Sequence, residues 1–493
     1  MKNTFRKQLT PMHVWAIAFG CIIGWGAFIN PGKKFLFNSG VAGTAIAMLL
    51  GALVMIVIAY SYAYMVPKYP EAGGEYVFTK KCFGRFAAYV CGWFLVAAYL
   101  TNVPMNSTAI GLIMHGLFGP VLRFGFHYTV AGFDVYAGEM FFAMSILILF
   151  YFFNTRGVKI AGRVQTFLAA GLGISVTLLT GAALFSTETS WVNTFPCWGF
   201  DKMAAVAAVQ SGTYNGIENF VHSGSREIMA AILATFAIAP WAYVGFDTIP
   251  QVAEEVKFSH KKICSIMIIA ILFGCFVYTA NNTITAAALT NWPDLIINSE
   301  STPWLLLVAA ERLLGNFGKC LVGVAVMCAV LAGIMGFYMA ASRLMYSMSK
   351  DGYLPKIFNT LDDKYGTPKN AMTFCLLVSL SGPILGREAL GWFLDMSAIG
   401  ASIGYGATCA ATLVTMHKNN DGTKFLKTMA IVGTIFSIIF MILQLIPIPG
   451  FESVHFGKES YIMLVVWCML GVVFYFKQQR LWKGKIGSKT YNK

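Results

Sequence analysis

Residues 20–32 read GCIIGWGAFINPG. The stretch lies inside the first long apolar run of the chain, yet it holds Gly20, Gly24, Gly26, Asn30, Pro31 and Gly32. Each glycine in a helix interior costs roughly 1 kcal/mol relative to alanine. A segment that tolerates so many is either packed tightly against a neighbour, as small-xxx-small patterns such as Gly20-xxx-Gly24 often are, or it is not fully helical.

A second run of the same kind follows. Residues 235–257 read TFAIAPWAYVGFDTIPQVAEEVK, with Pro240, Gly245, Asp247 and Pro250 in one hydrophobic segment. An acid at membrane depth costs about 2.5–3.5 kcal/mol or more. Non-helical backbone survives there only where protein or a water-filled cavity covers it. Two Gly/Pro-interrupted spans at matching positions of two halves point to a transporter binding site. Where a helix unwinds, its amides and carbonyls lose their partners. Freed N–H groups at a half-helix N-terminus attract a carboxylate, and freed carbonyls accept from an ammonium group. Backbone alone can then read both ends of a zwitterion.

The composition sets the frame for this reading. The 493 residues are 57% hydrophobic and only 12% charged, with a mean hydropathy of +0.65. Soluble domains carry about 25% charged residues, so the chain reads as a polytopic, all-α integral membrane protein. The net charge of +14 sits in short clusters between apolar runs, which argues for topology determinants and against nucleic acid. About twelve spans of roughly 20 apolar residues are expected, near 13–37, 42–66, 84–116, 137–153, 162–186, 228–254, 263–290, 318–348, 370–386, 389–416, 426–447 and 459–477. The tenth carries Asp395 and several glycines and is expected to be broken.

With the N-terminus inside, the inner segments hold about 27 basic residues and the outer ones about 9. The inner set runs from Lys2, Arg6 and Lys7 to Lys489 and Lys493. Both termini are therefore expected in the cytoplasm, with the chain in the inner membrane. The basic N-terminus MKNTFRKQLTP precedes a run too long for a signal h-region, so that run is expected to stay as the first span. The expected division is a cytoplasmic N-terminus (1–12), a core of two halves (13–416, as 13–186 and 228–416), two appended spans (426–477) and a cytoplasmic tail (478–493). The largest outer segment is about 187–227, rich in Thr, Ser, Asn and Trp, and no other soluble domain is expected.

The eleven cysteines form no CxxC pair and read as small packing residues. The seven histidines are dispersed, and neither HExxH nor GxSxG occurs, so a membrane enzyme is disfavoured. No metal site or cofactor is expected.

At the two interrupted spans the chain resembles the amino acid–polyamine–organocation permeases. Gly24-Trp25-Gly26-Ala27-Phe28 is similar to the family's G-x-G-x-F. Pro70-Glu71-Ala72-Gly73-Gly74-Glu75-Tyr76 is similar to its P-x-[SA]-G-G-x-Y. Tyr243 to Asp247, with Ala253-Glu254-Glu255-Val256-Lys257, resembles [FY]-x-G-F-[DE]…A-E-E-x-K. Ser342-Arg343, Asp351-Gly352-Tyr353-Leu354-Pro355 and Thr367-Pro368 resemble the run after span eight. The resemblance covers about 12–415. It implies a five-plus-five inverted repeat, broken in spans one and six, that moves amino acids or amines across the cytoplasmic membrane by alternating access.

The resemblance also implies a substrate site. The backbone of Ile22, Ile23, Gly24, Trp25 and Gly26 would hold the substrate, Trp241 would close over it, and Tyr243, Val244 and Gly245 would supply the second broken segment. Ala98, Asn102 and Met105 match a pocket-lining stretch of arginine/agmatine exchangers, and Phe337 falls at a pocket aromatic of the same relatives. Blander roles stand beside these. Trp241, Met105 and Phe337 could be core residues, and Asn102 could bond a neighbouring helix. Asp247 is the gating or coupling candidate, or it caps the helix that follows it. Glu254, Glu255 and Arg343 read as an ion-pair latch at the inner face, and Asp395 as a brace for the tenth span.

Two departures from the family bear on mechanism. Trp25 stands where relatives carry a small residue, and Leu172 stands where proton-coupled relatives place a lysine. Exchange, sodium coupling and protons through Asp247 remain as energetic schemes. The expected partners are a small amino acid or amine and the lipid bilayer. A neutral or aromatic zwitterion is favoured because Asp247 is the one acid near the pocket, and the rival is an exchanger of an amino acid for its decarboxylated amine.

Overall fold

The computed structural model describes residues 4–130, 132–298, 304–386, 389–451 and 454–490. Lys2 and Lys493, counted above among the inner basic residues, lie outside them. Among the described residues, nine helices are long and apolar enough to cross a membrane. Two shorter apolar helices, Pro11–Ile22 and Lys369–Leu385, accompany them.

The first interrupted run is three pieces. Helix α1 (Pro11–Ile22) stops at Ile23, whose backbone is extended, and α2 (Gly26–Asn30) starts after Trp25. A π-helical turn over Pro31–Phe35 leads into α3 (Leu36–Lys68), which turns sharply at Gly40. Helix α4 (Gly74–Phe118) turns at Gly84. A short hairpin, β1 (His127–Val130) with β2 (Phe133–Tyr136), then precedes α5 (Ala137–Thr155) and α6 (Val158–Phe185). That hairpin departs from the all-helical expectation. Alternating short strands closed by Gly132 at φ +88° form it outside any span.

The segment 187–227 carries α7 (Lys202–Gln210) and packs on the ends of the bundle through Phe200 and Trp292. The second interrupted run is again in pieces: α8 (Ser225–Phe236), α9 (Ala239–Ala242) and α10 (Thr248–Gln251). Then come α11 (Ile263–Ala288), α12 (Trp292–Ile297), α13 (Leu305–Lys350, turning at Gly315), α14 (Lys369–Ser379) and α15 (Ser381–Leu385). The chain ends in α16 (Ala389–Asn419), α17 (Lys424–Leu445) and α18 (Lys458–Thr490).

Helix α16 corrects one expectation. It is continuous from Ala389 to Asn419. Gly400 and Gly404 serve close packing instead of a break: a β-carbon on Gly400 would fall 2.4 Å from the Phe94 carbonyl oxygen, and one on Gly404 2.7 Å from Leu95. Asp395 accepts from the Ser460 hydroxyl at 2.6 Å and so ties α16 to α18.

One side of the peripheral helices is apolar and bare. On α6, Phe167, Ile174 and Leu178 are exposed while Leu168, Leu172 and Leu179 are buried. Such a helix is apolar all round, with one face for its neighbours and one for lipid. The centre is held by α13, which packs against α4, α6, α1 and α11.

Candidate functional site

The two breaks lie against each other. Gly245 has φ +139°, a conformation that L side chains rarely adopt. A β-carbon there would also fall 2.5 Å from the Ile22 nitrogen and 2.6 Å from the Cys21 carbonyl carbon. Residue 245 must therefore be glycine for the second break to rest on the end of α1. The N–H groups of Gly24, Trp25 and Gly26 find no backbone acceptor among the described residues. These are orphan donors at the N-terminus of α2. The Trp25 indole N–H is also buried without an acceptor, and the Asn106 Oδ1 is buried without a donor.

Asn106 was not among the residues singled out from sequence. Its Nδ2 donates to the Asn102 carbonyl at 2.9 Å, and its Oδ1 lies 3.7 Å from where a Gly24 β-carbon would be. The signal was its place one helical turn after Asn102, on the same face of α4.

The expected residues divide into two groups. Ile22, Ile23 and Trp25 are buried at the first break, and Val244 and Gly245 form the second. Trp241 spans the two: a β-carbon on Gly26 would meet its indole at 2.3 Å. Above it a cavity of about 30 Å³ is lined by Lys34, Pro240, Trp241, Asp395 and Gln444. That is room for a water and too little for an amino acid, so the site is occluded on this side.

The others are committed elsewhere. The Tyr243 hydroxyl donates to the Met48 carbonyl at 2.8 Å, so only its backbone faces the break. Asn102 donates to the Ala98 carbonyl at 2.7 Å and to the Ser397 hydroxyl at 2.6 Å, an interhelical bond to α16. Ala98 packs on Gly400. Met105 is buried in the main core, and Phe337 stacks on Tyr99 with ring centroids 6.3 Å apart.

Asp247 is fully buried. Its Oδ1 accepts from the Gly245 N–H at 2.8 Å and its Oδ2 from the Tyr99 hydroxyl at 2.9 Å. It makes no capping bond to α10, which removes the helix-cap reading. Its side chain instead folds back to fix the break.

The other face is latched. Arg343 donates to Glu255 through Nε at 2.7 Å and Nη2 at 3.3 Å, with both side chains buried. Gln8 and Leu9 donate to the Glu255 carbonyl at 2.8 and 3.0 Å, and Lys257 donates back to Leu9 at 3.0 Å. Glu254 accepts from the Ala72 N–H at 3.3 Å. The N-terminal segment, the end of the second broken run and α13 are thereby joined. In α6, Leu172 is fully buried. Gln165 of the same helix donates to the Ala16 and Ala332 carbonyls at 3.3 and 3.1 Å, stitching α1 to α13.

A family model described as amino acid permease matches residues 9–474. The Asc-type amino acid transporter 1 of Homo sapiens is 25% identical over 378 residues, 75% of this chain and 64% of its own length. The large neutral amino acids transporter small subunit 2 of Mus musculus is 25% identical over 441 residues, 89% of this chain and 75% of its own. The branched-chain amino acid permease BcaP of Bacillus subtilis (strain 168) is 24% identical over 501 residues, 97% of this chain and 94% of its own.

Proposed function

The chain belongs to the amino acid permease family, and from that premise we propose that it carries amino acids across the cytoplasmic membrane by alternating access to a site between its two broken helices. The apposition of the breaks carries the proposal. Orphan N–H groups of Gly24, Trp25 and Gly26 suit a carboxylate, and the unpaired Asn106 oxygen beside Gly24 suits an ammonium group. The names of the relatives place amino acids among their cargo.

The architecture proposed is twelve spans in a five-plus-five inverted repeat, 13–186 and 228–416, with two appended spans at 426–477. Nine long helices, two shorter apolar ones and the broken run from Ser225 support that count. Both termini are proposed to be cytoplasmic, on the basic-residue bias. The substrate contacts proposed are Ile22, Ile23, Gly24, Trp25 and Gly26, the backbone of Tyr243, Val244 and Gly245, and the lid Trp241, with Ala98, Asn102, Met105 and Phe337 behind them. No catalytic chemistry is proposed.

Asp247 is spent on the break, and the described residues record no ion pair there, so a neutral zwitterion fits better than a cation. Exchange of an amino acid for an amine is the other reading, and the absence of a lysine at Leu172 leaves it standing. Radiolabelled amino acid uptake into proteoliposomes, empty or preloaded, tests both. Uptake into empty vesicles on an ion gradient makes the protein a symporter; uptake only into preloaded vesicles makes it an exchanger. Failure of counterflow with every amino acid and amine removes the substrate-site reading.

A further inference from the structure

Asp247 does not stand alone. Glu75, at the start of α4, is also fully buried. The Tyr99 hydroxyl joins the two, 2.9 Å from Asp247 Oδ2 and 3.4 Å from Glu75 Oε1. Tyr62 donates to Glu75 Oε1 at 2.8 Å, and the Gln251 amide lies 2.6 Å from Oε2 and 3.4 Å from Tyr99. The titratable side chains facing the pair are Cys21 from α1, Tyr62 from α3, Cys91 and Tyr99 from α4, and Tyr405 from α16. Among the described residues, neither carboxylate has an ion pair with Lys, Arg or His. Two buried carboxylates linked through one hydroxyl and lacking a countercharge resist ionising together.

The unsatisfied atoms indicate what is missing. Gln251 Oε1 and the Tyr405 hydroxyl are buried without partners. Amide oxygen and nitrogen are exchangeable assignments. Turned about, the Gln251 amide would offer its oxygen to a protonated Glu75 at the same 2.6 Å. A metal cation is a poor fit. All four carboxylate oxygens already meet a donor or a donor-capable group at 2.6–2.9 Å: Tyr62, Gln251, Gly245 and Tyr99.

We propose that Glu75, Tyr99 and Asp247 form a proton-binding unit that holds one proton between its two carboxylates and couples its occupancy to the second helix break. The inference rests on the transport reading above. The transfer balances within the unit. A proton leaves Asp247 Oδ2 for the Tyr99 oxygen as the hydroxyl's own proton passes to Glu75 Oε1, a half-turn of the carboxyl then presents that proton to Gln251, and Tyr99 ends neutral as it began. Asp247 is bonded to Gly245, whose backbone rests on Ile22, so its charge acts directly on the site. Glu75 lies in the segment that the basic-residue bias places on the cytoplasmic side, which gives the proton an inward route.

The test has two arms on the purified full-length chain. The first is pH-difference infrared spectroscopy, which needs no substrate. Wild type should show a carboxylic C=O band that titrates and that is missing from both Glu75→Gln and Asp247→Asn, while Glu75→Asp retains one. A wild-type band unchanged by either substitution, or none at any pH where the protein stays folded, overturns the proposal.

The second arm uses proteoliposomes with a trapped pH dye and a radiolabelled mixture of neutral amino acids, without sodium. Wild-type uptake should acidify the lumen and rise with outside acidity, by at most about tenfold per pH unit, the slope of one proton. Glu75→Gln should lose that pH dependence and Glu75→Asp should restore it. Uptake that is indifferent to pH, or that appears only when sodium is added back, overturns the proposal. If the band behaves as expected but no amino acid moves into either empty or preloaded vesicles, the transport reading fails while the proton unit stands.

Discussion

The indole of Trp241 lies on the α-carbon of Gly26, so close that a β-carbon at residue 26 would fall 2.3 Å from Cη2 and 3.0 Å from Cζ2. This contact joins the second half of one interrupted helix to the first half of the other. The closed site therefore requires residue 26 to have no side chain. Overpacking at such a contact costs roughly 1–3 kcal/mol. Gly26→Ala should lower amino acid counterflow by about tenfold or more, since each 1.4 kcal/mol is a factor of ten. Trp241→Leu in the same chain should restore part of it. Full activity of Gly26→Ala alone would remove Trp241 from the lid.

The opening stretch shows how far the sequence can be read. Packing and unwinding were both open for its glycines, and each holds at a different residue. Gly20 is a packing glycine, with a would-be β-carbon 2.6 Å from Ala332 and from Gln165. Gly24 and Gly26 sit at the break itself. Glycine spacing alone does not separate these roles, because both need a missing side chain. The second break was legible because Pro240 and Pro250 lack the N–H of a regular helix and Gly245 weakens one through its conformational freedom. Glu75 and Asn106 went unassigned because their weight comes from neighbours distant in sequence, Gln251 and Asp247 for one and Gly24 for the other. The tenth span differs from the expectation because Gly400 and Gly404 look like glycines of a broken helix yet meet α4.

Gly245 is constrained twice, by φ +139° and by its contact with Ile22. Gly245→Ala should abolish transport and lower the melting temperature in detergent. Gly391, with nothing within 4 Å of a β-carbon, provides the control. Gly391→Ala should leave both within error, or raise stability slightly, since alanine favours a helix by up to about 1 kcal/mol.

Two asparagines one turn apart should behave differently. Asn106 holds an unpaired buried oxygen beside Gly24, whereas Asn102 is bonded to Ser397. Asn106→Ala should raise the KM for amino acid uptake by about tenfold, the effect of losing one hydrogen bond to a charged group, about 1.5–3 kcal/mol. Asn102→Ala should instead lower thermal stability by roughly 0.6 kcal/mol, typical of an interhelical bond in a membrane, with KM nearly unchanged. Kinetics and melting curves on both variants check the assignment. A KM effect confined to Asn102 would exchange their roles.

The Arg343–Glu255 pair calls for a double-mutant cycle. Both side chains are buried, and the guanidinium makes two bonds at 2.7 and 3.3 Å. Removing one partner strands the other charge, typically at 3–5 kcal/mol, whereas replacing both with apolar residues is often neutral. Arg343→Met and Glu255→Leu should each sharply lower the melting temperature, and the double variant should recover most of the loss. Transport separates a latch from a strut. The Glu255 carbonyl also receives Gln8 and Leu9, so the pair holds the N-terminal segment across the mouth of the second broken run. If that closure is part of the cycle, the stable double variant should still bind amino acid but exchange it more slowly, because one face no longer seals. A double variant that is stable and fully active would make the pair a strut, leaving closure to the backbone bonds of Gln8, Leu9 and Lys257.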